Sequence, residues 1–580
     1  MTTIRDDLKI KLKDKKYLFC IIIILLLAII VRFSNYSSVE YWSDDVGVVP
    51  HALLWYYPYP IYPGLSGTAE PGLSHLIIGK FCLMSQEDFS RVSEIQPGFL
   101  VGRPELIGKQ LVNADNYCHL PMYIFGLLFL ITMIVLAILL LDKPSSLFMI
   151  SFISFYPSIL ELSRFIHPDI IQWFFITCNL LFLWKAYSIE KSSKKELTYF
   201  ILSSIFIGLA FATKFTSGIF IPFFIAILYL KYKEEVNNHL HSLLNKLNIK
   251  IKKTEERNTK PLIKIILGSI IAFNIAFWPI FKFSLTTLIQ VIKQQAFLFP
   301  RNVRQGFNPT FYEGIKKIIL QMDPITTIAF LFSFYICYLL IKKKDKTKEE
   351  TFILSLFILY IITILLSKPI TDEIPRLSLL LILIAPILSL TFSNKAYSLL
   401  NKFKIHSKII LYLILIVLII LGSYNSYTQI PKFAITNPLV CPFFKEECNL
   451  IKYNSFLVKP IANKLNEILK EEETFEPNGY GNIMYYYTRQ EEDIQNYGFK
   501  TAFKEQIGRP SRLEEKILYW HPFNRTIRYL VIIENAELEF PEESTEIQTK
   551  LLPAYRFDFP NQKGYIYDLN SIIVYNETKG

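Results

Sequence analysis

Eleven apolar runs, separated by short polar or basic stretches, constrain this chain more than any other feature of its sequence. Most run for 17 to 22 residues. A helix of that length rises far enough to cross the ~30 Å hydrocarbon layer of a bilayer. Inside lipid every backbone N–H and C=O needs a partner within the protein, which leaves only helices and closed barrels. These runs do not alternate polar and apolar residues as barrel strands do. The expected fold class is therefore an α-helical polytopic membrane protein of about 11 transmembrane helices. The spans fall at about 17–33, 120–141, 145–161, 170–187, 197–213, 217–230, 262–281, 324–341, 351–367, 377–393 and 409–426. The run at 217–230 is the shortest; it sits at the lower limit for crossing, and re-entry is its other reading.

Charge supplies the orientation. The chain carries a formal net charge of +12 on 580 residues. Its basic residues crowd into the loops of one side: MTTIRDDLKIKLKDKK, Lys143, EKSSKKE, the loop 231–261, KKKDKTK and NKFKIHSK. The short loops of the other side offer Arg164, Lys214, Lys368 and Arg376. The positive-inside rule then puts the N-terminus in the cytoplasm. With an odd number of spans, the tail after 426 lies outside. The positive balance is inner-face charge and not a nucleic-acid footprint, so nucleic acid is not an expected partner. The first span has no small-residue cleavage site and reads as an uncleaved anchor.

Two regions follow: residues 1–426, the multi-span part, and 427–580, a small α/β domain outside the membrane. The outer loop 34–119 contains apolar stretches too short to span, VGVVPHALLWYY and GLSHLIIGKFCLM, expected as interfacial helices. A second outer loop occupies 282–323. In the tail, RYLVIIEN, KGYIYDL and SIIVYN read as strands, and IANKLNEILKEEE has helical periodicity. Cys20, Cys178 and Cys337 lie in spans and are expected to pack as small apolar residues. Cys82 and Cys118 fall in the first outer loop, Cys441 and Cys448 in the tail. The CPFFKEEC spacing suits a short disulfide without establishing one. No Cys or His spacing matches a zinc site.

Polar residues gather at the outer span ends. Asp44 and Asp45 closely follow the first span. ELSRFIHPDIIQWFF places Arg164, His167 and Asp169 between the third and fourth spans, and FATKFTSGIFIP places Lys214 between the fifth and sixth. SKPITDEIPRLSLLLILIAP places Lys368, Asp372, Glu373 and Arg376 before the tenth. Acids and cations at a bilayer edge are expensive to desolvate, so each is a functional candidate. Each also has a simpler reading. The two aspartates can be solvated acids, Lys214 can snorkel to the interface, and Arg164 with Asp169 can form a local pair capping the fourth span.

Taken together, these pieces resemble the glycosyltransferase-C superfamily, in the branch of protein O-mannosyltransferases and bacterial lipid A aminoarabinose transferases. The carriers are Asp44–Asp45 after the first span, EPGLSHLIIGKF, RFIHPD leading into the fourth span, TKFTSG after the fifth, and a charged loop ending in PR. The resemblance covers about 15–430. The family usually has Asp-Glu where this chain has Asp-Asp, which leaves the role of Asp45 open.

The resemblance implies a membrane glycosyltransferase that moves a sugar from a polyprenyl-phosphate donor, with inversion, to a glycan, lipid or protein acceptor outside the cytoplasm. It implies Asp44 and Asp45 as catalytic residues, Lys214, Arg376 and Arg164 on the donor phosphate, and His167, Asp169 and Glu373 in support. It fixes no cofactor, and a divalent metal ion held by Asp44 and Asp45 is compatible with it. Membrane lipids are the surrounding partner, and a bacterial inner membrane is the expected location, with endoplasmic reticulum as the alternative. A polymerase or ligase of lipid-linked glycans is the alternative enzyme. A transporter is disfavoured, because the charges sit at one surface and no internal repeat is visible.

Overall fold

The computed structural model describes residues 4–33, 72–85, 108–156, 168–237, 260–281, 324–366, 385–393, 458–470, 473–478, 526–533, 552–559 and 562–568, with isolated positions such as Leu160 and Ser163 between them. It is mostly helical. In chain order the helices are α1 (Ile4–Lys11), α2 (Lys15–Phe33), α3 (Leu73–Leu83), α4 (Gly108–Leu140), α5 (Lys143–Phe155), α6 (Pro168–Ser188) and α7 (Lys194–Thr213). A 3-10 segment (Phe215–Ile219) then leads into α8 (Phe220–Lys231), followed by α9 (Lys260–Phe277), α10 (Pro324–Lys342), α11 (Lys348–Leu366) and α12 (Val458–Ile468). Among the described residues four helices are long and apolar enough to cross a membrane: Lys15–Phe33, Asn116–Leu140, Pro168–Ser188 and Lys194–Thr213. Shorter apolar helices accompany them.

Several of these helices are apolar all round, and their two sides face different surroundings. In α2 the stripe Tyr17, Ile21, Ile24, Ala28 and Val31 is buried, while Phe19, Leu26 and Ile30 on the other side are 63%, 55% and 63% exposed. Helix α9 likewise leaves Leu267, Ile270 and Ile275 outside. Such outward apolar faces suit contact with hydrocarbon. Helix α6 is the opposite case, buried along nearly its whole length between α4 and α7. Close approach of α7 to α9 depends on Gly208, where a Cβ would lie 2.8 Å from the Phe273 carbonyl.

Local chemistry starts and stops the helices. Ser193 caps α7 by accepting from the Glu196 N–H, while the Glu196 carboxylate accepts from the Ser192 N–H at 2.6 Å. Helix α11 begins with a reciprocal Thr347–Glu350 box. Both satisfy N–H groups that a helix start leaves open. Helix α5 ends at Phe155, short of the expected 161. Tyr156 is extended (φ −64, ψ 123) because it precedes Pro157, and a residue before proline is pushed out of the helical region. Helix α4, in contrast, begins at 108, within the stretch expected as outer loop. The polar run GKQLVNADNYCH continues the helix without being apolar.

One face of the bundle is bound together by lysines. Lys11 donates to the carbonyls of Leu139 (3.0 Å) and Leu141 (3.2 Å) at the end of α4. Lys231, at the end of α8, donates to Ala186 and to Ile189 (2.9 Å) at the end of α6 and forms an ion pair with Glu196 at 2.9 Å. Lys348 reaches the Ser188 carbonyl at 2.7 Å. Asp7 pairs with Lys185, and Asp14 with Lys143 at 2.8 Å. Cations suit helix C-termini, where carbonyls lack intrahelical partners and the dipole is negative. Lys11, Lys231 and Lys348 among the basic residues of that side thus answer helix ends.

Segment 215–231 runs beside α6 from Lys214, near its start, to Lys231, at its end. Its 3-10 portion rises ~2.0 Å per residue against ~1.5 Å in the α-helix, so seventeen residues nearly match the 21 of α6. The short run therefore extends from one end of α6 to the other and does not turn back.

In the tail, α12 lies with a four-stranded sheet of β1 (Glu473–Asn478), β2 (Thr526–Ile533), β3 (Tyr555–Phe559) and β4 (Gln562–Asp568), ordered β1-β2-β4-β3. The β1–β2 pair is parallel and the other two pairs are antiparallel. Leu530, Val531, Ile532 and Ile533 are all buried, as befits a central strand. The run SIIVYN, the tail cysteines, the first part of the span 377–393 and most of 409–426 lie outside the described residues.

Candidate active site

Opposite the lysine-bound face, α6 begins with Pro168 and Asp169, and α7 ends at Thr213. Proline is favourable in a first helical turn, and an acid there faces the positive end of the dipole. Lys214 is extended (φ −157, ψ 129), so the chain leaves α7 sharply and re-enters a 3-10 turn. This turn aims the Lys214 side chain back at α6. Its Nζ lies 2.9 Å from Asp169 Oδ1, with both side chains largely buried (11% and 6% exposed).

The turn itself is pinned. The Lys214 carbonyl accepts from Ser217 Oγ at 2.8 Å, from Ser217 N at 3.2 Å and from Gln172 Nε2 at 3.2 Å. Gln172 Nε2 also donates to Thr216 Oγ1 at 3.0 Å. Asp169 and Gln172 are three residues apart on α6 and so share a face. One holds the lysine's ammonium and the other its backbone. A Cβ on Gly218 would stand 3.0 Å from the Phe211 ring, which keeps the turn close to α7.

Beside the turn lies an aromatic group. Phe211 meets Phe215 and Phe277 at ring distances of 4.9 and 5.2 Å, and Phe277 meets Trp278 at 5.7 Å. On the other side, Arg32 ends α2 and is buried (1% exposed), donating to the carbonyls of Ser154 (2.8 Å) and Ile153 (3.1 Å). It closes the C-terminus that Pro157 leaves short. Cys82 and Cys118 form a disulfide joining α3 to α4. Helix α3, expected along the interface, packs on α4 with His75, Ile78 and Cys82 buried.

Of the residues singled out in the sequence, the structure brings Lys214 and Asp169 together. Asp44, Asp45, Arg164, His167, Glu373 and Arg376 lie outside the described residues. Among the described residues no group of three His, Cys, Asp or Glu could hold a metal ion. Gln172 and Thr216 stand inside the quoted motifs but were not singled out there. The i,i+3 spacing from Asp169 was the available signal for Gln172. Arg32 carried a signal too, as a cation within an otherwise apolar span.

The family model for dolichyl-phosphate-mannose-protein mannosyltransferase matches residues 108–247. The chain is similar to this family over that segment. The segment contains both RFIHPD and TKFTSG, and with them α6, α7 and the Lys214–Asp169 pair. The match agrees with the resemblance to the glycosyltransferase-C superfamily and with the enzyme class it implies, a glycosyltransferase. Among solved structures, ArnT from Cupriavidus metallidurans bound to undecaprenyl phosphate is similar over 94% of this chain and 97% of that one, at 9% identity and a TM-score of 0.46. The archaeal oligosaccharyltransferase AglB from Archaeoglobus fulgidus, in complex with an inhibitory peptide and a dolichol-phosphate, is similar over 90% of this chain and 69% of that one, at 13% identity and a TM-score of 0.42. No curated protein sequence matches.

Proposed function

We propose that this mannosyltransferase-like chain transfers a sugar from a polyprenyl-phosphate donor to an acceptor hydroxyl, on a glycan, lipid or protein, on the extracytoplasmic side of a bacterial inner membrane, with inversion. The observation that carries the reading is the buried Lys214–Asp169 pair, which lies within the family-matched segment at the end of the bundle opposite the lysine-bound face. Asp169 is the lysine's counter-charge within the protein, and the phosphate that a lipid carrier brings to that depth is a second anion the same ammonium can hold. In this reading about eleven spans put the N-terminus in the cytoplasm and residues 427–580 outside.

The roles follow from charge flow. Asp44 takes the proton of the acceptor hydroxyl as its oxygen attacks the anomeric carbon. The bond from that carbon to the phosphate oxygen breaks, and its electron pair leaves with the phosphate. Lys214, Arg164 and Arg376 hold the phosphate as its charge grows, so they act most strongly in the transition state. Asp169 orients Lys214, with His167 and Glu373 supporting. Asp45 orients the acceptor; if a divalent ion binds, Asp44 and Asp45 hold it.

The test is transfer of radiolabelled sugar from polyprenyl phosphate by purified protein in lipid. Asp44→Asn keeps the shape and removes proton acceptance, so turnover should fall by about 10²-fold or more while donor still binds. Transfer by Asp44→Asn at the wild-type rate overturns the mechanism.

A further inference from the structure

We propose that Gln172 is a positioning residue for donor binding, acting through the turn 214–216. The inference rests on Lys214 being the phosphate ligand proposed above. An ammonium on a four-carbon stem is mobile, and a flexible lysine loses much rotamer freedom when it binds phosphate. Here both ends of that stem are fixed by one turn of α6. Asp169 takes Nζ at 2.9 Å, and Gln172 ties down the Lys214 carbonyl and the Thr216 hydroxyl.

Gln172 is itself buried, 2% exposed, so its amide donates at low dielectric, where an unmade hydrogen bond is expensive. It reaches across 42 residues of sequence to join the two elements that bound the site. Thr216 is exposed, so the bridge runs from the buried base of the turn to its outer rim. Two further bonds from Ser217 hold the same carbonyl, but they come from within the turn and cannot set its distance from α6. Only Gln172 and Asp169 do that among the contacts described.

The experiment measures binding of undecaprenyl phosphate to the full chain in lipid nanodiscs, alongside the melting temperature. Gln172→Leu removes both bonds at similar volume and should weaken binding about tenfold. Thr216→Val removes the exposed end of the bridge and should weaken it several-fold, without the burden of a buried change. Thr216→Ser keeps an acceptor hydroxyl and should restore wild-type affinity. A purely structural role would lower the melting temperature while leaving affinity below that temperature unchanged; wild-type affinity in both Gln172→Leu and Thr216→Val overturns the inference. The reading of the function fails separately. If wild-type protein does not bind the carrier, or Lys214→Met binds it as well as wild type, the phosphate role of Lys214 is lost. If Lys214→Met alone loses binding, that role stands and Gln172 is excluded.

Discussion

At the residue scale, the balance is between a charged group's hydration and the partners the fold offers in exchange. Asp14 shows this outside the membrane. Its carboxylate accepts from Lys143 Nζ and from the Tyr17 and Lys16 N–H groups, capping α2. The Lys143 bond first, and the Tyr17 N–H next, hold its pKa below the usual aspartate range. A depressed carboxylate stabilises the fold at pH values above its unfolded pKa, and that stabilisation disappears as pH falls through the folded value. Asp14→Asn keeps a capping oxygen but loses the charge. The melting-temperature gap between wild type and Asp14→Asn should be open at pH 7 and close below about pH 4. A gap independent of pH would assign the effect to the cap alone. At the site, Asp169→Asn should leave Lys214 without its carboxylate and lower the melting temperature, because a buried cation deprived of its partner is strongly destabilising.

At the element scale, the helix ends determine most of the architecture. The Glu196–Lys231 pair joins the start of α7 to the end of α8, with side chains 0% and 4% exposed. Tyr232 adds a hydroxyl bond to Glu196 at 2.8 Å. Removing either member strands the other, so Glu196→Gln and Lys231→Met should each lower stability by about 3–5 kcal/mol. The double variant should lose well under the sum of the two, as measured by unfolding in detergent and read as a double-mutant cycle. Additive losses would mean that the two charges do not depend on each other. The sheet illustrates what element signals reveal. Its central strands β2 and β4 fall on RYLVIIEN and KGYIYDL, which are dense in β-branched and aromatic residues. The edge strands β1 and β3 lie on stretches without that density, and β1 even contains Pro477, which an edge tolerates and a centre does not. Burial on both faces writes a strong pattern, and an edge writes a weak one.

At the scale of the whole molecule, the disulfide and the lysine-bound face lie on opposite ends of the bundle. Cys82–Cys118 closes 36 residues of chain and holds α3 against α4. Peptide mapping without reduction should recover the linked pair, and Cys82→Ser with Cys118→Ser should lower stability by ~2–4 kcal/mol. Recovery of both thiols free from oxidised cell envelopes would contradict an outer position for this end. The orientation itself is open to labelling. A cysteine introduced in 427–580 should react with a membrane-impermeant maleimide in intact cells, and one placed in 231–261 should not. The reverse pattern would invert the topology proposed here.

By itself the sequence determined the helical membrane class, most helix positions and the gathering of basic residues on one side. These depend on hydrocarbon thickness and on charge counts, which are properties of local stretches. It also contained Lys214 and Asp169 as candidates, since a charge at a span end is visible without a fold. Only the tertiary structure decided that these two meet, that Gln172 ties the same turn to α6, that Arg32 and Lys231 close foreign helix ends, and that Cys82 joins Cys118. Each of these is a contact between segments 36 or more residues apart. No local pattern encodes such a pairing, because which helix ends become neighbours depends on how whole helices pack, down to a glycine such as Gly208 that admits one backbone to another.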